Sequence, residues 1–306
     1  MTQTAVEPAP AAEPAPPSGL GAPRRGVASR IVNRLGGGAV QIVLIVVGLI
    51  WLVPTFGLFV ASLREPQDNA ASGWWTALTE PAQLTVQNYR NLLDNAGIID
   101  AFFNTIFITV PATILVVLIA SAAGYAFAWL DFPGRDWLFL LVVGLLVVPI
   151  QVGLIPIVRL YRNLGIFGSI TGVVLFHVAF GLPFAIFLLR NYFAGIPRDL
   201  LEAARMDGGT ELSIFYKVIL PLGLPAIASL AIFQFLWVWN DMLVALIFSN
   251  QDTKPMTVAL QQEVRQFSAN FDVLAPGAFL SLIVPLLVFF AFQRYFVQGV
   301  LAGSVK

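Results

Sequence analysis

Few side chains in this sequence can do acid–base, nucleophilic or metal chemistry. The chain has 306 residues, with one histidine, His177, and no cysteine. A zinc-binding helix needs two histidines, and a serine-type relay would have to use this one imidazole as its base. The lack of cysteine also excludes disulfides, thiolate metal sites and a cysteine nucleophile. The sequence therefore predicts no catalytic residues and no metal site.

Two further classes of function are excluded by motif and charge. No Gly-Lys dipeptide occurs, so the chain has no P-loop with which to hydrolyse ATP. Seventeen Lys and Arg balance seventeen Asp and Glu, which leaves no basic excess for nucleic acid. Any energy for work must come from a partner protein or from a gradient.

One acidic residue lies inside a long apolar stretch. Asp241 is the only charged residue between positions 218 and 248. A charge in lipid costs at least about 2.5–3.5 kcal/mol, so such a residue faces protein or water and has a partner. Asp241 and His177 are therefore candidate proton or cation sites. The competing interpretation is that both are satisfied structurally by neighbouring helices.

The elements that position these residues are membrane helices. Hydrophobic residues make up 58% of the chain and charged residues 11%, against roughly a quarter in a soluble domain. Six charge-free runs exceed the roughly 20 residues that a helix needs to cross the hydrocarbon core. They are 35–63, 101–130, 137–158, 163–189, 218–240 and 273–293. The predicted fold class is all-α, an integral membrane protein with six transmembrane helices.

Basic residues predict the orientation of these spans. An even number of spans places both termini on one side, which carries eleven Lys and Arg against six on the other. The basic excess marks the cytoplasm. Residues 1–34 begin with an Ala/Pro-rich stretch and are predicted to form a disordered cytoplasmic tail. Residues 35–306 then form the six-helix transmembrane domain.

A polar segment joins the fourth and fifth spans on the cytoplasmic side. Pro197 suits a first helical turn, and Glu202 favours the positive end of that helix. Gly208-Gly209 supplies the backbone freedom to stop it, and Thr210 can cap a second helix. The sequence predicts helix, break and helix over about 197–214. Small residues there would let another protein dock, whereas a connector lying on the membrane is the alternative.

The sequence of this segment resembles the EAA signature of ABC-importer permeases. The matching residues are Glu202-Ala203-Ala204, Asp207-Gly208 and Ile219-Leu220-Pro221. In that family the segment forms coupling helices that insert into a cleft of each cytoplasmic ATPase subunit. The resemblance implies that six residues transmit nucleotide-driven motion: Glu202, Ala203, Ala204, Asp207, Gly208 and Gly209. Gly209 departs from the family, in which alanine is commoner.

Other marks extend the resemblance over about residues 40–306 and agree with the sugar-uptake branch, in its maltose-type second-permease subfamily. The marks are Asn104-Thr105, Ala123-Gly124-Tyr125-Ala126, Phe132-Pro133-Gly134-Arg135, Leu164-Gly165-Ile166, Trp239-Asn240-Asp241 and Leu301-Ala302-Gly303-Ser304-Val305-Lys306. The implied fold is that of a type I ABC-importer permease. The sequence around 150–190 favours α-glucosides as the substrate.

The resemblance implies a transport subunit and not an enzyme. The implied partners are a paralogous permease in a heterodimer, two copies of a cytoplasmic ATPase, an extracytoplasmic sugar-binding protein and the lipid of a bacterial inner membrane, with no nucleic acid. ATP and magnesium would bind to the ATPase subunits, and this chain would bind no cofactor. Alternating access would follow when closure of the ATPases draws the coupling helices together.

A sugar pathway needs polar partners for hydroxyls and flat faces for C–H surfaces. Six residues inside the spans can supply them: His177, Gln234, Trp237, Trp239, Asn240 and Asp241. In the maltose system the other permease subunit holds most of the sugar, so direct contact by this chain stays open.

The outer loop 249–272 resembles the family's scoop loop, which enters the docked binding protein. Its candidate residues are Gln261, Gln262 and Gln266. A solvated connection is the alternative interpretation.

A different class of function remains as the rival interpretation. A stand-alone ion-coupled carrier or an intramembrane enzyme could use Asp241 and His177. Neither a Gly-x-Ser nor a Gly-Asp sequence marks an intramembrane hydrolase, and no repeated halves are visible.

Overall fold

The fold is entirely helical over the residues that the structure, a computed structural model, describes. These are the backbone of 27–265 and 271–302 and the side chains of 38–264 and 272–294; no β-strand occurs among them. The helices are α1 (Val27–Ser62), α2 (Pro66–Ala71), α3 (Gln87–Asp94), α4 (Ala96–Trp129), α5 (Arg135–Leu145), α6 (Ile150–Asn163), α7 (Ile170–Ala194), α8 (Arg198–Met206), α9 (Glu211–Ile214), α10 (Leu220–Trp239), α11 (Leu243–Phe248), α12 (Met256–Arg265) and α13 (Phe271–Ala302).

Five stretches of helix are long and apolar enough to cross a membrane. They are Gly38–Ser62, Ala96–Trp129, Ile170–Ala194, Glu211–Trp239 and Asp272–Arg294. Helices α5 and α6 are long and apolar enough to cross a membrane only when they are taken together, and they meet at an angle of 100°. The all-α membrane fold is therefore confirmed, with five continuous spans and one bent helix pair.

The third predicted span is wrong as a single helix over 137–158. Helix α5 ends at Leu145 and α6 begins at Ile150, with Pro149 as its N-cap. Proline has no N–H for the helical ladder and disfavours helical backbone in the residue before it, so the chain turns there. Composition alone does not separate a straight apolar helix from a broken one.

The first helix begins earlier than the sequence predicts. Helix α1 starts at Val27, inside the predicted tail 1–34, so that boundary is too late. Ala28, Arg30 and Leu35 are good helix formers, and no proline interrupts α1 before Pro54. Residues 1–26 lie outside the described ranges. Contacts divide the chain into two units at Pro54, and the sites below lie in the second unit, from Thr55 onward.

The core of this second unit rests on close packing of α4 against α7. The α4 residues Ile108, Ala112, Val116 and Ala120 recur every four positions and are at most 3% exposed. Small side chains on such a stripe let two membrane helices approach closely. The stripe continues to Gly124, where a Cβ atom would lie 3.1 Å from both the Arg190 nitrogen and the Leu189 Cβ. A Cβ at this distance would be tighter than most packed contacts, so glycine favours the close approach of α4 and α7.

A fully buried arginine organises the segment between α1 and α3. Arg64 is 0% exposed, although sequence analysis counted it only as an outer basic residue. Its guanidinium donates to side-chain oxygens of Asn69, Ser72, Thr76 and Gln83 and to the carbonyls of Asp68 and Ser72. These bonds offset the cost of burying a charge, so Arg64 holds the turns of the segment together.

We expect Gly124→Val to destabilise the protein. The added side chain would overlap α7 at Leu189 and Arg190, and overpacking of this kind costs about 1–3 kcal/mol. Gly144→Val is the matched control, since Gly144 has no atom within 4 Å of its virtual Cβ. Thermal unfolding of the purified complex should show a lower Tm for the first variant only; equal Tm values would contradict the proposed close contact.

Candidate functional site

The predicted coupling segment forms a short helix with one buried anchor. Pro197 is the N-cap of α8, one position before the first turn where sequence analysis placed it. Leu201 is 1% exposed and joins a buried cluster that contains Ile196, Ile214 and Phe215. Burial of a leucine side chain contributes about 1.5–3 kcal/mol, so this one residue attaches α8 firmly to the membrane domain.

The two glycines end α8 in a Schellman motif. Gly208 has a φ of 80°, and its N–H donates to the Arg205 carbonyl at 3.0 Å. The Gly209 N–H donates to the Ala204 carbonyl, also at 3.0 Å. A Cβ at Gly209 would lie 2.7 Å from that same carbonyl oxygen, which gives a physical reason for glycine where alanine is commoner. Thr210 then caps α9 by accepting the Ser213 N–H.

A carboxylate ties the segment to the core helix α4. Glu211 accepts a hydrogen bond from Arg205 Nε at 2.9 Å and another from the Tyr125 hydroxyl. The Glu211 carboxylate raises the pKa of the Arg205 guanidinium. Tyr125 also packs on Phe215, with 5.3 Å between ring centroids. In the sequence, Tyr125 stands out only as part of the family resemblance, and nothing there points to a role for Glu211 or Arg205.

The opposite face of the segment is open in this chain. Glu202, Ala203, Asp207 and Gly208 are exposed, and Ala204 and Gly209 are half-buried. Four large apolar residues are exposed around them: Leu200 at 45%, Met206 at 84%, Leu212 at 66% and Tyr216 at 60%. Exposed apolar side chains rimmed by polar residues are typical of surfaces that contact another protein or a membrane.

A π-helical turn links this segment to α10. It covers Phe215–Ile219, between α9 and α10. Such turns insert one extra residue into a helix and are frequent at functional sites. Phe215 and Ile219 are buried, whereas Tyr216 and Lys217 are exposed. The segment and α10 thus share one continuous but irregular helical rod.

The His177 and Asp241 side chains meet in the interior. His177 Nε2 lies 3.6 Å from Asp241 Oδ2, and His177 is 1% exposed. Asp241 accepts the backbone N–H groups of Val244 and Ala245 at 3.3 and 3.1 Å. The carboxylate therefore caps α11 just after the chain leaves α10. Its own carbonyl accepts the Thr257 hydroxyl at 2.7 Å, which attaches the outer segment.

The remaining pathway candidates divide into two groups. Trp239 is buried and donates its Nε1–H to the Ser281 carbonyl of α13 at 3.0 Å. Asn240 donates to the Leu236 carbonyl of its own helix at 2.8 Å. Gln234 and Trp237 instead line a cleft of about 280 Å³ between α7 and α10.

Sequence analysis missed most of the cleft lining. The other lining residues are Phe180, Gly181, Phe184, Leu230 and Phe233. A signal was present, because Phe180 and Phe184 are four apart on α7, while Phe233 and Trp237 are four apart on α10. Spacing alone does not show that these two faces oppose each other.

Two of the three scoop-loop candidates, Gln261 and Gln262, lie on a helix. The predicted loop 249–272 contains α12, in which Met256, Val258 and Ala259 are buried. Gln262 accepts a hydrogen bond from Lys254 Nζ at 2.9 Å, and Gln261 is half-buried. Gln266 lies outside the described residues. Over the described part of the chain, no three His, Asp or Glu side chains come together as a metal site.

Comparison with known proteins identifies the family. The family of binding-protein-dependent transport system inner membrane components matches residues 41–302. The chain belongs to this family. A member of a binding-protein-dependent system is not a stand-alone carrier, so membership sets that alternative aside.

Relatives of this inner membrane component cover most of its length. It is 50% identical to the osmoprotective compounds uptake permease protein of Synechocystis, over 87% of this chain and 91% of that one. It is 37% identical to the alpha-glucoside transport system permease protein of Rhizobium meliloti, over 88% and 97% of the two chains. A solved chain from a bacterial ABC transporter that imports the acidic polysaccharide alginate shares the fold, with a TM-score of 0.70 at 24% identity over 90% of this chain and 100% of that chain.

We expect Asp241→Ala to destabilise this membrane component without changing its recognition of substrate. The variant loses two N–H acceptors and the neighbour of buried His177, and a lost helix cap costs about 0.5–2 kcal/mol. Asp241→Asn keeps one acceptor oxygen and should lose less. Tm of the purified complex and the KM of uptake check this. An unchanged Tm with abolished uptake would instead assign Asp241 to transport.

Proposed function

We propose that this chain is one permease subunit of an ATP-driven, binding-protein-dependent importer of sugars, with α-glucosides as the favoured class. Family membership supports the transport system, and a permease named for alpha-glucosides is 37% identical. A permease named for trehalose, from Mycobacterium tuberculosis, is 34% identical over 83% of this chain. Trehalose is itself a neutral α-glucoside, so these two names agree.

The observation that carries the proposal is the exposed helix α8 on a rigid attachment. Its outward face presents Leu200, Ala203 and Met206, while Leu201 holds it to the core. A groove on a cytoplasmic ATPase would bury these apolar groups, in the manner of a helix docked in a groove. Glu202, Ala203, Ala204, Asp207, Gly208 and Gly209 are the residues that we assign to this contact.

Motion of α8 would reach the membrane through two connections. The Glu211 carboxylate bonds both Arg205 and the α4 hydroxyl of Tyr125, so a displacement of the segment pulls on α4. The π-helical turn Phe215–Ile219 continues directly into α10. Since α4 and α10 pack on each other, both connections act on the same helices. Alternating access would follow from closure and opening of the ATPases.

The partners of this subunit follow from the same proposal. A paralogous permease would complete a heterodimer, and two copies of an ATPase would dock below it and bind ATP with magnesium. Both termini would be cytoplasmic. The segment held by Arg64 and helix α12, with Gln261, Gln262 and Gln266, would face the extracytoplasmic binding protein.

We expect Gly208→Val to uncouple the ATPase from transport. A β-branched residue is strained at a φ of 80°, so the end of α8 would distort. Sugar-stimulated ATPase activity and uptake should both fall at least tenfold. Gly165→Val is the matched control, because Gly165 has a φ of 70° in the outer turn after α6.

The control separates docking from general strain. Both glycines lack any atom within 4 Å of a virtual Cβ, so neither substitution creates a clash. Gly165→Val should keep the ATPase bound during purification. Equal uptake by wild type and Gly208→Val would refute the role of α8 in coupling.

The orientation can be measured with single cysteines, because the chain has none of its own. A membrane-impermeant maleimide should modify Leu78→Cys in intact spheroplasts and Met206→Cys only in inside-out vesicles. Both side chains are well exposed, at 62% and 84%. Rebinding of the ATPase should protect Met206→Cys and leave Leu78→Cys unaffected. Labelling of Met206→Cys in intact spheroplasts would place α8 on the wrong side for an ATPase.

A further inference from the structure

The cleft between α7 and α10 has the lining of a small-molecule site. Its volume of about 280 Å³ lies just below the roughly 300–1,000 Å³ typical of ligand pockets. Four aromatic side chains form its walls: Phe180 and Phe184 from α7, and Phe233 and Trp237 from α10. No charged side chain lines it among the described residues.

One polar group is buried in this apolar lining without a partner. Gln234 is 5% exposed, and its Nε2 has no hydrogen-bond partner within the described part of the chain. An unsatisfied buried donor costs about 1–3 kcal/mol. A group kept at that cost points to a ligand that accepts its hydrogen bond.

The opposite helix leaves room for that amide. A Cβ at Gly181 would lie 2.8 Å from both Nε2 and Oε1 of Gln234. The missing side chain at Gly181 therefore creates the space that the amide occupies. Next to it, His177 packs edge-on against Trp237, with 5.1 Å between ring centroids, and this contact orients the indole.

We propose that this cleft binds one ring of a neutral sugar on its way through the membrane, with Gln234 bonded to a hydroxyl and the aromatic rings packed on its C–H faces. This inference rests on the proposed function and deepens it. It assigns direct contact with the sugar to this chain and not only to the second permease.

The lining distinguishes a neutral sugar from other solutes. A quaternary ammonium compound would be attracted by the aromatic faces, but it offers no acceptor at its cationic end for the Gln234 N–H. A carboxylate would leave water for a cleft with no cation to pair with it. A hydroxyl both donates and accepts, so it satisfies the amide. An apolar helix of the second permease would cover the rings and leave the amide unpaired.

The test is direct binding to the complete permease–ATPase complex in detergent, without the binding protein. Equilibrium dialysis with radiolabelled trehalose and maltose gives the Kd for each variant. Gln234→Leu and Phe184→Ala should each weaken binding about tenfold. Gly181→Ala should weaken it as well, because its methyl group displaces the amide.

Phe187→Ala is the matched control. Phe187 lies on α7 three residues beyond Phe184, is similarly exposed, and stacks on Phe139 outside the cleft. Its trehalose Kd should equal that of the wild type. ATPase activity stimulated by the loaded binding protein reports whether each variant is folded and assembled.

Four results would overturn the inference. Two concern sugar binding: an unchanged Kd in Gln234→Leu, and no binding of either sugar to a wild-type complex whose ATPase is stimulated normally. The third is competition by glycine betaine that depends on Trp237 but not on Gln234. The fourth is loss of the second permease from Phe184→Ala with an unchanged Kd. The last result would make the cleft an interface between permeases. Failure of the proposed function is distinct, since the wild type would then show no ATP-dependent uptake at all.

Discussion

Buried backbone groups need hydrogen-bond partners, both in the hydrocarbon core and in tight turns outside it, and three irregular features of the fold meet this requirement. At each of them a side chain or a turn motif satisfies the freed groups. Asp241 accepts the first N–H groups of α11, and Arg64 binds the carbonyls of the outer turns. The Schellman motif at Gly208-Gly209 does the same for the last carbonyls of α8. Polar residues in this protein are therefore placed mainly at helix breaks.

Attachment and exposure are combined in the segment formed by α8 and α9. Leu201 and the bonds of Glu211 join it to the core, whereas Met206 and Leu200 remain uncovered. The proposed coupling role needs both properties, because a loosely attached helix would bend and a fully buried one would offer no surface to a partner. The ion pair between Arg205 and Glu211 is partly exposed and contributes little stability by itself. Its value lies in fixing the direction of the segment relative to α4.

Two buried polar groups show why burial alone does not define a function. The Asp241 carboxylate accepts two backbone N–H groups and lies beside His177, so its presence is accounted for by the fold. The Gln234 amide faces an aromatic cleft with its nitrogen unpaired in the described structure. In sequence both are polar residues of the same apolar stretch. The difference lies in what each side chain meets on the opposing helix.

The sequence by itself determined the membrane class, the positions of five of the six apolar spans and the helix, break and helix over about 197–214. Charges are excluded from lipid, so their absence over some 20 residues directly indicates a membrane span. The sequence pattern from Glu202 to Gly209 lies within one short stretch of the chain, so it can be read without knowing the fold. Only the tertiary structure decided that the third span breaks at Pro149. It also decided that Gln234 and Trp237 line the cleft, whereas Trp239 and Asn240 bond to backbone carbonyls. It also showed Arg64 to be buried and Tyr125 to bond Glu211. These outcomes depend on contacts between residues far apart in the chain, and hydropathy reports only the affinity of each residue for lipid.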